Sequence, residues 1–436
     1  MQKFLDRYRE RTPTSQRLYE EAKNYLPVGV GSTFRYFEPY PFFVEKAQGG
    51  KIVDADGNEY IDLCMNYGAQ LVGHANPKVN EAIDQQKELG TLYTKPHKLS
   101  TELAKELVRR FPVDKVRFTN SGTETTMHAV RLARGFTGKE KIIKLEGSYH
   151  GVHDAVLVEK DGNGKTRPKY RGVSSKACSD TLLASFNDLG SFKTLFEKYK
   201  GEIAGVLVEP VLMNRGCVLP EDNFLHKLLD LCHENDALLL LDEVKTGVKL
   251  SPGGACEYYD LEPDIVCLAK SIGGGLSIGA FGARDEIMNE IRMEDGVAHA
   301  GTYNANPLVV RAALATLREV LTEDVYDEVF GLNKKLVKGY EKVIDKHNLP
   351  AYITSVGECG AIYFTPHPIK NDRDFNQYVD DEVKELSKKF FLGMLNEGII
   401  PHPVGWGTEP WTLSVQHTEE DIDKTIQAFD VVAQKL

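Results

Sequence analysis

Lys270 interrupts an apolar run, IVCLAKSIGGGLSIGAFG at residues 265–282, and three glycines follow it closely. A lysine amine taken out of water has a lowered pKa, which makes it a nucleophile able to form a Schiff base. A lysine at a strand end can also snorkel its ammonium into solvent. Gly273, Gly274 and Gly275 favour the first reading, because they let backbone pass close to a ligand. Ser271 and Ser277 on either side suggest a phosphate or carboxylate neighbour. A dinucleotide site does not fit: counting G-x-G-x-x-G from Gly273 puts Ile278 at the sixth position.

Three other apolar runs also end in polar chemistry. Asn120-Ser121-Gly122-Thr123 follows VRFT, Glu209 follows GVLV, and Asp242-Glu243 follows LLLL. Asp242 needs a cation or strong donors to stay ionised there, and a protonated pyridine nitrogen would serve. Capping the next helix, or pairing with Lys245, is the other reading. Ser121, Gly122 and Thr123 open the helix ETTMHAVRLARG with hydroxyls and free amides at its positive end, which suits a phosphate or an ordinary N-cap. Tyr149 in EGSYHG offers an aromatic face for a heteroaromatic ring, or simple core packing. Cradle, plate, carboxylate and lysine together meet the needs of pyridoxal phosphate: anchoring, stacking, activation and covalent attachment.

Positioning these groups requires strands that end together. The runs VRFT, KIIKL, GVLVEP, ALLLLDE and DIVCLA alternate with helical segments such as STELAKELVRRF and FLHKLLDLCHEND. That pattern predicts a mostly parallel sheet buried on both faces, with ligands at its carboxyl edge. The fold class is therefore α/β, with a large domain over residues 66–310. A smaller α+β domain is assembled from 1–65 and 311–436. Residues 1–26 read as one amphipathic helix, 160–185 as a long surface loop or lid, and TEEDID from Thr418 as a helix start.

The chain has 436 residues and a net charge of −11 without a run of basic residues, which argues against nucleic acid or an anionic membrane surface as partner. Seven scattered cysteines without a C-x-x-C pair suit a reducing cytoplasm better than disulfides or a zinc site, so no metal is expected. No stretch approaches the length of a membrane span.

NSGTETTMHAVRLARGFTGKEKIIKLEGSYHG, LLLLDEVKTG, CLAKSIGGGLSIGAFG and AGTYNANPL together resemble the class III (subgroup II) pyridoxal-phosphate aminotransferases of fold type I, over nearly the whole chain. Within that family the chain is most similar to the glutamate-1-semialdehyde 2,1-aminomutases. The resemblance implies pyridoxal 5'-phosphate as cofactor, with pyridoxamine 5'-phosphate as its alternate form. It makes Lys270 the covalent attachment point and proton shuttle, and Asp242 the partner of the pyridine nitrogen. Tyr149 and Val244 would flank the ring. Ser121, Gly122 and Thr123 would hold the phosphate, and Asn214 would sit near the phenolic oxygen. Gly301 and Thr302 would reach the phosphate of a neighbouring subunit, which implies a homodimer with shared active sites. Ser32 and Arg35 match the family's carboxylate binders, and an arginine fork suits a carboxylate. Tyr67 and Glu409 would complete the pocket for a small amino or oxo acid.

Three pocket segments depart from the aminomutase pattern. Met65-Asn66-Tyr67-Gly68 stands for G-S-W-G, Thr302-Tyr303-Asn304-Ala305 alters G-T-L-S-G-N-P, and IPHPVGWGTE replaces A-P-S-x-F-E. The alternative function is therefore transamination of a β-amino acid or other amine with a 2-oxo acid acceptor, for which Arg215 or Arg171 could bind a carboxylate. A racemase or epimerase and a non-catalytic cofactor binder are the remaining readings.

Overall fold

The computed structural model describes residues 1–403 and 409–436; the segment 404–408, part of IPHPVGWGTE, lies outside the described residues. The chain forms two compact units. One contains Met1–Asn76, Asp324–Ile369 and Asp374–Leu436, and the other contains Pro77–Glu323 with Lys370–Arg373.

The strands follow in chain order. The first unit opens with β1 (Val44–Gln48), β2 (Lys51–Asp54) and β3 (Glu59–Asp62). The second holds β4 (Lys115–Thr119), β5 (Lys141–Leu145), the hairpin β6 (Val158–Lys160) and β7 (Thr166–Pro168), β8 (Thr181–Ala184), β9 (Ile203–Val208), β10 (Leu238–Asp242), β11 (Ile265–Ala269) and β12 (Gly279–Ala283). The first unit closes with β13 (Tyr352–Val356), β14 (Cys359–Tyr363), β15 (Ile399–Ile400) and β16 (Trp411–Thr412).

Seven strands of the second unit make one sheet in the order β4-β12-β11-β10-β9-β5-β8. β12 is antiparallel to both neighbours and the other pairings are parallel, so the remaining strands share one direction. β8 to β11 are buried along their length, as expected of a sheet covered on both faces. The helix Gly122–Thr137 lays Ala129, Val130, Leu132 and Ala133 against Leu207, Leu240, Cys267 and Phe281. Its packing is close because β12 begins with a glycine: a Cβ on Gly279 would lie 2.3 Å from Oγ1 of Thr125 and 2.4 Å from Oγ1 of Thr119.

The first unit carries two small sheets, β1-β2-β3-β15 and β13-β14-β16. Its core joins both chain ends: Phe4, Tyr8, Tyr40 and Tyr60 pack with Phe391, Leu392 and Leu395. The final helix Glu419–Ala433 starts with a capping box between Thr418 and Asp421.

Two expectations are corrected. The segment 1–26 forms two helices, Gln2–Arg11 and Pro13–Ala22, because Pro13 lacks the amide that would continue the first and is instead suited to begin the second. The segment 160–185 is not simply a surface loop. Its first part is the hairpin β6-β7, Ser175–Cys178 is helical, and TLLA at 181–184 is buried as the edge strand β8, because its four residues pair with β5.

Candidate active site

β4, β5, β9, β10 and β11 end at one edge of the sheet, so the residues that follow them are brought together there. At the end of β10, Oδ2 of Asp242 lies 2.7 Å from Nδ1 of His150, and both side chains are buried. A carboxylate only accepts, so Nδ1 carries the proton. Oδ1 of the same aspartate accepts the Val244 amide at 3.0 Å. The Asp242 carboxylate is thus fixed by two donors. His150, adjacent to Tyr149, was absent from the residues singled out in the sequence, and its Nε2 has no hydrogen-bond partner among the described residues.

Lys270 directly follows β11 and adopts φ +48, a left-handed conformation uncommon for a side chain with a Cβ and frequent where function holds the backbone. Part of its surface stays accessible. Enough protein nevertheless crowds the ammonium that burial, helped by the charge of Lys245 and opposed by Asp242, pushes its pKa down to about 7. No hydrogen bond or ion pair engages its Nζ among the described residues. An amine of this kind is largely neutral just above pH 7, hence nucleophilic and able to take up a proton.

After β4, Ser121 caps the helix Gly122–Thr137: its Oγ accepts the Glu124 amide at 3.2 Å, which leaves the hydroxyl proton for another acceptor. The amides of Gly122 and Thr123 begin the helix and have no carbonyl one turn back to bond. A Cβ on Gly122 would come within 2.9 Å of Cγ1 of Val244, so only glycine lets the helix start approach the residue after Glu243. Oγ1 of Thr123 accepts the Val152 amide at 3.2 Å. Asn120 donates to Oδ1 of Asn304 at 2.8 Å, which ties this turn to the segment carrying the accessible Gly301 and Thr302.

Glu209, after β9, organises the next two residues. Its Oε1 accepts the Tyr149 amide at 2.9 Å, and Asn214 donates to both carboxylate oxygens at 3.1 and 3.2 Å. Burial raises the pKa of Glu209. Burial also raises that of the Tyr149 hydroxyl, with Tyr170 and Asp242 adding to it. Arg215 is committed: its Nε lies 2.5 Å from Oδ1 of Asp372.

In the other unit, Arg35 ends the short turn Thr33–Arg35, and Ser32 stands at that turn's start. Tyr67 donates its hydroxyl to the Phe34 carbonyl and packs its ring 6.0 Å from that of Phe34. Its pKa is raised by burial first and then by Cys64 and Glu409, with Arg35 opposing, so Arg35 and Glu409 act on the same phenol. Met65, Asn66 and Tyr67 have φ of 40, 54 and 59°, three successive non-glycine residues in left-handed backbone. Such strain persists only where neighbours impose it. Here Asp62 does so, its Oδ1 accepting the Cys64 and Met65 amides at 2.9 and 3.2 Å and its Oδ2 meeting Nε2 of His74 at 2.8 Å.

These residues fit pyridoxal phosphate on four counts: a low-pKa amine unpaired among the described residues, a carboxylate fixed by His150 for a protonated ring nitrogen, a helix start whose capping hydroxyl keeps its proton beside two amides with no acceptor among the described residues, and the side chains of Tyr149 and Val244 on the flanking turns. Among the described residues no group of histidine, cysteine or acidic side chains could hold a metal ion, and no helix is long and apolar enough to cross a membrane.

Comparison with known proteins gives one consistent result. The family model for class-III aminotransferases matches residues 35–431. A glutamate-1-semialdehyde 2,1-aminomutase of Methanocaldococcus jannaschii is 42% identical over 427 residues, covering 97% of this chain and 98% of that protein. Among solved structures, a glutamate-1-semialdehyde aminomutase from Pseudomonas aeruginosa in complex with PMP superposes with TM-score 0.91 at 27% identity, over 100% of this chain and 97% of that one. An omega-transaminase from Sphaerobacter thermophilus superposes with TM-score 0.90 at 30% identity, over 96% and 97%.

Proposed function

The chain belongs to the class-III aminotransferases, pyridoxal-phosphate enzymes of fold type I, and from that membership we propose that it is an aminomutase converting glutamate 1-semialdehyde to 5-aminolevulinate. The observation that carries the substrate assignment is the 42% identity to an aminomutase across essentially the full length of both chains.

Bound pyridoxal phosphate supplies a carbonyl for attachment of an amine and a ring that accepts electrons from the neighbouring carbon. Lys270 provides the attachment amine and, once released, moves a proton at the substrate carbon, for which a pKa near 7 is well matched. Asp242 holds the proton of the ring nitrogen, and His150 and the Val244 amide keep its carboxylate oriented. Tyr149 and Val244 would flank the ring, and Asn214, anchored by Glu209, would face the phenolic oxygen. The Ser121 hydroxyl and the amides of Gly122 and Thr123 would hold the phosphate. Arg35 and Ser32 bind the substrate carboxylate, with Tyr67 and Glu409 shaping the pocket.

The working form is a homodimer in which Gly301 and Thr302 complete the phosphate site of the neighbouring subunit. Tyr303 next to them is 61% exposed, a large apolar ring that such an interface would cover. Among the described residues no two cysteines form a disulfide, which supports a reducing, cytoplasmic setting.

A second reading, transamination of a free amine onto a 2-oxo acid, is favoured by one observation, the TM-score of 0.90 to an omega-transaminase. Substrate and product of the mutase reaction are isomers, so it needs no second substrate, whereas transamination needs a donor and an acceptor. Borohydride reduction followed by peptide mass mapping tests the attachment at Lys270. Colour change with a β-amino acid, reversed by a 2-oxo acid, would overturn the mutase reading if semialdehyde alone gave nothing.

A further inference from the structure

Lys144 is a second lysine held out of water, in β5, with 2% of its surface accessible, and the proposed chemistry makes no use of it. Its ammonium donates to the carbonyls of Leu145 and Ser148, at 3.1 and 3.3 Å. Those two carbonyls bracket a tight turn, closed by the Ser148 amide on the Leu145 carbonyl at 3.4 Å and by Ser148 Oγ on the same oxygen at 2.8 Å. Gly147 takes φ +74 in the turn, which glycine adopts without strain. The turn also meets an ion pair: a Cβ on Gly147 would fall 2.4 Å from Oδ1 of Asp372 and 2.8 Å from Nε of Arg215. The next residue is Tyr149, its amide held by Glu209, and then His150, its carbonyl held by Oγ1 of Thr126 at 2.6 Å.

A buried lysine is expensive, because its charge is desolvated and two neutral carbonyls compensate only in part. An aliphatic side chain would fill β5 more cheaply but could not bond both ends of the turn. We propose that Lys144 is a positioning residue for the cofactor: by pinning the Leu145–Ser148 turn from below, while the Arg215–Asp372 pair closes it from the side, it fixes Tyr149 against the ring and His150 against Asp242. This inference rests on the assignment of Tyr149 and Asp242 to the pyridoxal-phosphate site. Lys144 itself touches neither substrate nor cofactor.

The test uses the full-length holoenzyme and the variants Lys144→Met and Lys144→Arg, with Gly147→Ala disturbing the same turn through the Arg215–Asp372 pair. The readouts are the dissociation constant of pyridoxal phosphate and the circular dichroism of the bound cofactor, which reports ring orientation. Lys144→Met should weaken cofactor binding by about tenfold, the size of a lost charged hydrogen bond. It should also change the visible dichroism, and Lys144→Arg should restore most of both. Gly147→Ala should give the same dichroic change, and it carries the test if Lys144→Met does not fold. Unaltered affinity and dichroism in folded Lys144→Met, or in Gly147→Ala, would overturn the proposal and leave the lysine a purely structural residue. Should the wild type itself bind no pyridoxal phosphate, or bind it with no borohydride-reducible attachment at Lys270, the site assignment fails instead.

Discussion

Oδ2 of Asp242 sits 2.7 Å from Nδ1 of His150, joining the end of β10 to the segment after β5 across 92 positions of sequence. The histidine's part is to hold the carboxylate in place. His150→Ala should therefore weaken activity by the worth of one hydrogen bond to a charged group, about 1.5–3 kcal/mol or some 10- to 150-fold in kcat/KM. Asp242→Asn should cost more, because it removes the charge itself. Steady-state kinetics on the two variants decide the order, and equal losses would contradict it.

Lys270 gives the cofactor's attachment a defined pH dependence. Its pKa near 7 means that the ammonium dominates at lower pH and the nucleophilic amine at higher pH. Uptake of pyridoxal phosphate by the apoprotein, followed by absorbance, should accelerate as pH rises through about 7 and then level off. A midpoint near the ordinary lysine value, about 10.4, would show that the amine is not desolvated.

Lys144 should leave a mark on stability. Its folded pKa is pushed down to about 7, by burial first and by Lys169 and Arg215, with Glu209 and Asp372 opposing. An unfolded lysine keeps its ordinary value near 10.4. Between those limits the unfolded chain binds more protons, so this group makes stability rise with pH, by at most about 1.4 kcal/mol per unit. Denaturant titrations of the apoprotein at pH 7 and 9 should show a smaller rise in Lys144→Met than in wild type. An identical rise would mean that the lysine stays charged when folded.

Packing under the helix Gly122–Thr137 is testable by stability alone. Gly279→Ala drives a methyl to within 2.3 Å of Oγ1 of Thr125 and should destabilise by about 1–3 kcal/mol. Ser121→Ala removes the cap of the same helix and should cost about 1 kcal/mol. Urea midpoints measure both.

As the proposed binder of the substrate carboxylate, Arg35 should affect substrate binding and leave cofactor binding alone. Arg35→Gln should raise KM by roughly 10- to 100-fold, the worth of a charge-assisted contact to a carboxylate, while cofactor affinity stays unchanged. A fall in cofactor affinity would move Arg35 to a different role.

The carboxyl edge of the sheet is legible in the sequence because β9, β10 and β11 are continuous apolar runs, and Glu209, Asp242 and Lys270 are the polar residues at or just beyond their ends. β8 was not legible, since its four residues lie at the end of a polar, aperiodic stretch and become a strand only by pairing with β5. His150 was quoted beside Tyr149 but not singled out, because its importance lies in a contact with Asp242 that adjacency in sequence does not reveal. Lys144 could have been noticed as a charge within KIIKL, the same kind of signal that drew attention to Lys270. The break between the first two helices was written in Pro13 and missed because the amphipathic pattern continues across it.

Internal transfer of the amino group is read out by 5-aminolevulinate formed from glutamate 1-semialdehyde as the sole substrate, with the enzyme loaded with pyridoxamine phosphate. Many turnovers per active site are expected with no amine donor or 2-oxo acid present, and none with Lys270→Ala. A product yield that stops at one equivalent per site, or that appears only when a donor and an acceptor are added, would contradict it.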